Sequence, residues 1–207
     1  EHKENKDKPF FAFAAYTAPH WPLQVPVDYW NKYKGKYDEG YQIIMERRLK
    51  GLKEKGIIDA KIEIPNYPDL QNWEDLSDEE KKYEARKMEI FAGMVHFVDE
   101  QIGRLIQQLK DSGEYDNTII IVQSDNGAAA EDLSKSSLHS PNILSWNDNS
   151  YENMNHPNSF IALGANWAQV SSAPFRKYKQ KMYEGSMASP FIITGKGIST
   201  SKEVKKE

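Results

Sequence analysis

Two adjacent side chains with oxygen donors follow an apolar run near the middle of the chain. The run Ile119–Gln123 leads through Ser124 to Asp125, Asn126 and Gly127. Carboxylate and amide oxygens suit Ca²⁺ or Mg²⁺, and a glycine beside them lets the backbone turn sharply. The same residue types are also common in an ordinary turn. The pattern therefore allows two interpretations, half of a metal site or a simple turn.

A histidine is held between two prolines near the start of the chain. Pro19 and Pro22 flank His20, and each proline restricts the backbone of its own residue and of the residue before it. His20 is therefore presented from a stiff loop that follows the apolar run 9–16. Imidazole titrates near neutral pH, so a catalytic role and a plain surface histidine both remain open.

A third group of candidates is basic. Residues 173–186 contain Arg176, Lys177, Lys179 and Lys181 and close on Glu184 and Gly185. Cations near the carboxyl edge of a sheet would favour an anionic ligand. Composition alone favours the other interpretation, a solvated lysine-rich turn.

The elements that must position these residues form an α/β pattern. Ser77 and Glu80 make a capping box, and residues at helical spacing follow it until Gly113, namely Phe91, Met94, Val95, Val98, Ile102, Leu105 and Leu109. This predicts a long helix, on which His96 and Asp99 are interpreted as structural or solvated. The β-branched run 119–123 predicts a strand buried on both faces. Strand, helix and strand in this order predict a mainly parallel sheet flanked by helices, with right-handed crossovers.

The remaining segments are assigned more coarsely. Apolar runs at residues 9–16, 160–163 and 189–194 predict further strands, and residues 41–55 contain a short helix within a poorly periodic excursion over 25–76. The long polar segment 128–159 is a candidate wall of a substrate pocket, since loops of this length are usually functional or mobile. Its two histidines, His139 and His156, are interpreted as exposed.

Composition limits the function classes. The chain has 207 residues, a formal net charge of -4 and no cysteine, so disulfides and thiolate metal sites are excluded. Nothing in the charge distribution favours nucleic acid as a partner. No apolar run approaches the roughly 20 residues that a membrane span requires. Neither the compartment nor the oligomeric state is indicated.

Three segments, in one order, resemble the type I sulfatases of the alkaline-phosphatase-like superfamily, and within them the arylsulfatase branch. Each match is modest alone, but chance would have to supply all of them in register. The matching residues are AYTAPHWPLQ at 15–24; the stretch from Met94 through DEQIGR at 99–104 to YDNT at 115–118 and SDNGA at 124–128; and WA at 167–168 with PFR at 174–176, Lys179 and EG at 184–185.

The resemblance implies roles for four residues. Asp125 and Asn126 look like part of the ligand set of one Ca²⁺ ion, whose other ligands lie outside this segment. His20 looks like the histidine that donates a hydrogen bond to the sulfate ester, and Lys179 like the lysine that neutralises its oxygens. The family's nucleophile is a formylglycine made from a cysteine or serine in a Cys/Ser-x-Pro/Ala-x-Arg motif, upstream of everything seen here. Ser186 departs from the family, which often has a second glycine there.

We therefore expect residues 1–207 to be part of one sulfatase catalytic domain, with an incomplete alkaline-phosphatase-like α/β fold. The resemblance implies hydrolysis of a small-molecule or glycan sulfate monoester by a longer parent, and an inactive segment on its own. It also implies a secreted, periplasmic or lysosomal-type compartment, with the cytoplasm left open. Two alternatives stand beside this expectation: a phosphate or phosphonate ester hydrolase of the same superfamily, and a truncated, non-catalytic homologue.

Overall fold

The computed structural model describes residues 7–63, 65–131 and 146–198. In chain order, the helices and strands are α1 (Val27–Trp30), α2 (Gly40–Glu54), α3 (Asp78–Asp111), β1 (Ile119–Gln123), α4 (Ala165–Ser172), α5 (Glu184–Met187) and β2 (Phe191–Gly195). Short 3-10 turns lie at Asn31–Tyr33, Trp73–Asp75 and Tyr115–Asn117. The predicted helix over 41–55 is confirmed as α2. None of the helices described here is long and apolar enough to cross a bilayer.

The long helix α3 forms as its local signals predict. The Ser77 backbone N–H donates to the Glu80 carboxylate at 2.8 Å, and the Glu80 N–H donates to Ser77 Oγ at 3.2 Å. Hydrogen bonding to the Glu80 carboxylate from Ser77, chiefly from its backbone N–H, holds the pKa of Glu80 below its usual value. At the other end Gly113 adopts φ 75° just beyond the last turn, a conformation that glycine enters without steric cost. The capping box and the terminal glycine are both confirmed.

An aromatic cluster joins α2 and α4 to the long helix. The Tyr41 ring packs edge-to-face on Trp73 and Trp167, with centroid distances of 4.8 and 4.7 Å. The Trp167 indole N–H donates to the backbone oxygen of Glu84 on α3 at 2.9 Å. Edge-to-face rings add to the free energy of apolar burial. Helix α4 is thereby fixed on α3, and its far end leads into the basic segment.

A second core cluster lies beneath the histidine loop. Leu23 and Val25, just after His20, are buried with Ile90 and Met94 of α3. Ile161 belongs to the same cluster, and its carbonyl accepts a hydrogen bond from the Leu23 N–H at 2.9 Å. The histidine loop is therefore seated on the middle of α3.

The predicted parallel sheet is not formed by the described residues, which contain one pair of strands. Strands β1 and β2 are antiparallel, with Ile121 opposite Ile193. The prediction that β1 is buried on both faces is also wrong for this part of the chain, because Ile119 is 53% exposed and Ile121 54% exposed, and no residue of β1 is fully buried. An apolar run indicates a tendency to be buried, whereas the direction of pairing depends on a partner distant in sequence.

The other predicted strands have different outcomes. Residues 9–16 form no strand, and Phe11 and Phe13 are 93% and 81% exposed. Residues 160–163 form no strand either, although Ile161, Ala162 and Leu163 are buried. The run 189–194 is confirmed as β2, which begins at Phe191.

Candidate functional site

Two of the predicted site residues meet although they lie 159 positions apart in sequence. The Lys179 ammonium nitrogen is 3.5 Å from His20 Nε2 in a partly buried position. The other ring nitrogen, Nδ1, lies 3.0 Å from the Trp21 carbonyl oxygen. A carbonyl only accepts, so Nδ1 carries a hydrogen, and an ammonium only donates, so Nε2 is the acceptor. With this assignment of the two nitrogens, the Nε2 lone pair points at Lys179.

The His20 loop is fixed by backbone and ring contacts. The His20 N–H closes a turn onto the Thr17 carbonyl at 2.9 Å. The rings of His20 and Trp21 are 4.6 Å apart, and Trp21 packs edge-to-face on Phe160 at 5.5 Å. These contacts restrict the orientation of the imidazole.

Gln24 ties the same loop to the far end of the polar segment. Its side-chain N–H₂ lies 3.0 Å from the His156 carbonyl and 2.9 Å from that of Ser159. Next to it, the Val25 N–H donates to Asn155 Oδ1 at 2.6 Å. The described end of segment 128–159 therefore supports the His20 loop. Residues 132–145 of the candidate pocket wall, with His139, lie outside the described residues.

Lys179 is held from the α4 side by a buried amide. Gln169, 6% exposed, accepts from the Lys177 N–H at 2.8 Å and donates to the Phe175 carbonyl at 2.9 Å. The Tyr67 hydroxyl donates to the Pro174 carbonyl at 2.9 Å. A buried amide that loses its hydrogen-bond partners costs free energy. These bonds therefore favour a single conformation of the backbone that carries Lys179.

An ion pair holds the same segment from outside. The Lys177 ammonium contacts the Asp69 carboxylate. Its hydrogen bond lowers the pKa of Asp69, and the same bond raises the pKa of Lys177. Since the two shifts are opposite in direction, the pair stays charged throughout the neutral range.

The segment around Lys179 contains two residues in the left-handed region. Lys177 has φ 62° and Gln180 has φ 70°, a conformation that costs a residue with a Cβ about 1–2 kcal/mol. We expect Gln180→Gly to raise the free energy of unfolding by about 0.5 kcal/mol, because relief of this cost outweighs the entropy of glycine and one exposed hydrogen bond to Glu131. The midpoint of urea unfolding measures the change. Lys181→Gly is the control and should destabilise; a destabilised Gln180→Gly would contradict the prediction.

Asp125 and Asn126 lie directly after β1, as predicted. The Asp125 side chain is exposed. Ser124 Oγ donates to the Asn126 carbonyl at 2.9 Å, and the Asn126 amide N–H₂ donates to the Gly127 carbonyl at 2.9 Å. With its N–H₂ turned to the backbone, Asn126 keeps Oδ1 as an acceptor. These oxygens suit Ca²⁺.

The described residues by themselves do not make up a complete metal site. They contain no group of three or more His, Cys, Asp or Glu side chains that could hold an ion. Ca²⁺ takes about six to eight oxygen ligands, so the two side chains after β1 fit one side of such an ion.

Backbone contact brings the basic segment to the end of β1. The Lys179 N–H donates to the Ala128 carbonyl at 3.0 Å, two residues beyond Asn126. Lys179 therefore contacts His20 through its side chain and the turn after β1 through its backbone. All four predicted residues belong to one connected region.

Several residues of this region were not found from the sequence. Gln169 lies in a short helix and Gln24 in a loop, and a single glutamine carries no pattern that indicates a buried amide. Gly185 stands in the Glu-Gly pair that closes the basic segment, yet its close approach to the neighbouring backbone has no local signal. Such roles depend on contacts between residues distant in sequence.

Taken together, the oxygen donors after β1 and the contact between Lys179 and His20, joined to that turn by a backbone hydrogen bond, make a candidate site suited to an anionic group. The family model described as Sulfatase matches residues 1–207. The chain belongs to the sulfatase family. Membership implies the α/β fold of the alkaline-phosphatase-like class.

Individual relatives agree with the family match. An uncharacterised sulfatase of Schizosaccharomyces pombe is 43% identical over 192 residues, which covers 91% of this chain and 34% of the relative. An arylsulfatase of Klebsiella aerogenes is 38% identical over 196 residues, covering 94% of this chain and 42% of the relative. The chain therefore spans about a third of the length of the first protein and about two-fifths of the second.

Proposed function

We propose that this chain forms part of the catalytic domain of a sulfatase that hydrolyses a sulfate monoester. The observation that carries the proposal is the 3.5 Å contact between Lys179 Nζ and His20 Nε2, next to the turn with Asp125 and Asn126. Cleavage of a sulfate ester moves negative charge onto the departing oxygen. Donors placed where that charge develops stabilise the transition state more than the ground state. The arylsulfatase relative of Klebsiella aerogenes supports the same reaction class.

Lys179 and His20 have distinct roles in this proposal. The ammonium of Lys179 offsets charge on the sulfate oxygens. His20 already donates from Nδ1 to Trp21, so it can donate to the ester oxygen from Nε2 only when that nitrogen also carries a proton. A sulfate oxygen between the two groups would accept from both, replacing their direct contact. His20 would then be the donor nearest the leaving oxygen.

Asp125 and Asn126 would hold one side of the Ca²⁺ ion. When bound, the ion supplies Lewis-acid stabilisation of sulfate oxygens, and a formylglycine outside this segment supplies the nucleophile. The chain's own contribution is to hold two oxygen ligands on the turn after β1 and a cation, Lys179, on the segment that is hydrogen-bonded to that turn. We further propose that residues 1–207 belong to a single domain, in which β1 joins a mainly parallel sheet with strands outside the described pair.

The test uses a polypeptide extended by native sequence on both sides of this chain. We expect it to hydrolyse an aryl sulfate in the presence of Ca²⁺, and peptide mass mapping to find formylglycine upstream. The matched substrate is the corresponding aryl phosphate. Faster hydrolysis of the phosphate, with an unmodified serine or threonine as the nucleophile, would instead establish a phosphate ester hydrolase. Absence of both activities would favour a non-catalytic homologue.

The 207-residue segment is expected to be inactive on its own, because the nucleophile lies outside it. Incubation of the purified segment with the same aryl sulfate tests this point. Turnover above that of a His20→Ala control would contradict it.

A further inference from the structure

Three backbone segments at the site contact one another without intervening side chains. They are defined here as segment A (residues 124–128, after β1), segment B (residues 176–179, ending at Lys179) and segment C (residues 184–187, helix α5). Segment A carries the oxygen donors, and segment B carries the cation. Their relative position therefore determines the distance between the candidate metal ligands and Lys179.

Hydrogen bonds join the three segments in a closed ring. The Gly127 N–H of segment A donates to the Ser186 carbonyl of segment C at 2.8 Å. The Gly185 N–H of segment C donates to the Arg176 carbonyl of segment B at 3.0 Å. The Lys179 N–H of segment B donates to the Ala128 carbonyl of segment A at 3.0 Å. Each segment thus donates once and accepts once.

Both glycines of the ring lie where a side chain has no room. A Cβ on Gly127 would lie 1.8 Å from the Gly185 carbonyl oxygen, and a Cβ on Gly185 would lie 2.0 Å from the Lys177 carbonyl oxygen. Real Cβ atoms essentially never approach that closely, and the obstacles are backbone atoms that cannot rotate away. Neither glycine is among the residues with positive φ. The requirement at both positions is therefore for space.

We propose that Gly127 and Gly185 are positioning residues of the site, which set the distance between the Asp125–Asn126 turn and Lys179. Their role for catalysis rests on the proposed function, but the ring itself does not. A methyl group added at Gly127 forces segment A away from segment C. A methyl group added at Gly185 forces segment C away from segment B. Because the ring is closed, the displacement reaches the bond between Lys179 and Ala128.

Ser186 fits this arrangement. Its participation in the ring is through its carbonyl, which accepts from Gly127, and its own N–H donates to the Tyr183 carbonyl at 3.0 Å. A side chain at this position therefore leaves the ring bonds intact. The departure from the family at Ser186 does not disturb the backbone that carries Lys179.

The first test is residue-resolved hydrogen exchange on the protein that carries residues 1–207. We expect Gly127→Ala and Gly185→Ala each to speed exchange of the Lys179 amide by roughly ten-fold or more, with amides in the first half of α3 little changed. The matched controls are Gly51→Ala and Gly103→Ala, because both glycines lie in helices and an added Cβ would meet nothing within 4 Å beyond the local helix backbone. Equal exchange at Lys179 in variants and controls would overturn the proposal.

A measurement on the unsubstituted protein covers the case in which a variant fails to fold. The amides of Gly127, Lys179 and Gly185 should exchange with one common free energy as denaturant rises, because opening one bond of the ring opens the others. Three different exchange free energies would overturn the proposal. Neither exchange experiment requires turnover, so their failure is distinct from failure of the proposed function.

Activity then tests the catalytic consequence. In the extended polypeptide, Gly127→Ala should lower kcat roughly ten-fold or more, since small misplacements of charged groups reduce rates steeply, while Gly103→Ala leaves kcat unchanged. A ring confirmed by exchange with kcat unaffected would overturn the catalytic role. If the unsubstituted polypeptide hydrolyses no sulfate, the proposed function fails and the exchange result alone decides the ring.

Discussion

Replacement of Lys179 by methionine is expected to lower kcat for an aryl sulfate by about 10²–10³ in the extended polypeptide, the range found when one donor to a developing oxyanion is removed. Methionine keeps the unbranched apolar stem of lysine and removes the ammonium. In the proposed site, the sulfate oxygens then lose the positive charge of this ammonium. His20 Nε2 loses its donor in the free site as well, because the ammonium lies 3.5 Å away. The steady-state rate with saturating substrate measures the effect.

Lys181→Met is the matched control for this prediction. Lys181 lies in the same basic segment and is exposed, so its replacement removes the same charge from the same surface. We expect its kcat to stay within about two-fold of the unsubstituted value, as for surface positions in general. Equal losses in the two variants would mean that the segment acts through its net charge, and the specific role of Lys179 would be wrong.

The same contact predicts strong coupling between Lys179 and His20. Residues that touch show non-additive effects, commonly about 0.5–3 kcal/mol of interaction free energy. The double variant Lys179→Met with His20→Ala should therefore lose less than the sum of the two single losses. Additive losses would indicate that the two residues act on separate groups.

The sequence could predict α3 because its signals are local. Ser77 and Glu80 are three residues apart, and Gly113 follows the last turn directly, so both ends are encoded within a few residues. The apolar spacing between them needs no knowledge of what the helix packs against. In the structure, α3 begins directly after Ser77 and ends just before Gly113, as these signals predict.

The sheet could not be predicted in the same way. The run Ile119–Gln123 indicates a strand, but the partner and its direction depend on β2, some seventy residues further on. The run 9–16 has the composition of a buried strand. Its residues Phe11 and Phe13 are nevertheless exposed, because no described strand lies beside them. Apolar composition predicts that a segment is stabilised by burial. Whether it is buried depends on the other elements of the fold.

The four predicted site residues carry two kinds of sequence signal, their residue types and their match to a family. The residue types at Asp125, Asn126, His20 and Lys179 suggested chemistry, but their assignment to one site came from the resemblance to sulfatases. The structure adds how they are connected: a side-chain contact between His20 and Lys179, and a backbone bond from Lys179 to the turn after β1. The buried amide of Gln169 and the packed glycines at 127 and 185 had no sequence signal, since their roles arise from contacts across the fold.

The second large effect is expected at the metal side of the site. Asp125→Asn keeps the shape of the side chain and removes its charge, so the turn should fold unchanged while the Ca²⁺ affinity falls by about 10²-fold or more, because ligand charge is a main determinant of that affinity. Catalysis should then require a correspondingly higher Ca²⁺ concentration, and saturating Ca²⁺ should restore part of kcat. The dependence of the rate on free Ca²⁺ measures both quantities.

The control for the metal prediction lies at the other end of the same strand. Asp116 precedes β1 and is exposed, so Asp116→Asn removes one negative charge without touching the turn after Gln123. Its Ca²⁺ dependence should match that of the unsubstituted polypeptide. If Asp125→Asn and Asp116→Asn show the same Ca²⁺ dependence, the turn at 125–126 does not bind the metal ion. A shift confined to Asp125→Asn would instead establish that the strand end carries a ligand, because the two variants have the same net charge and differ only in which end of β1 is changed.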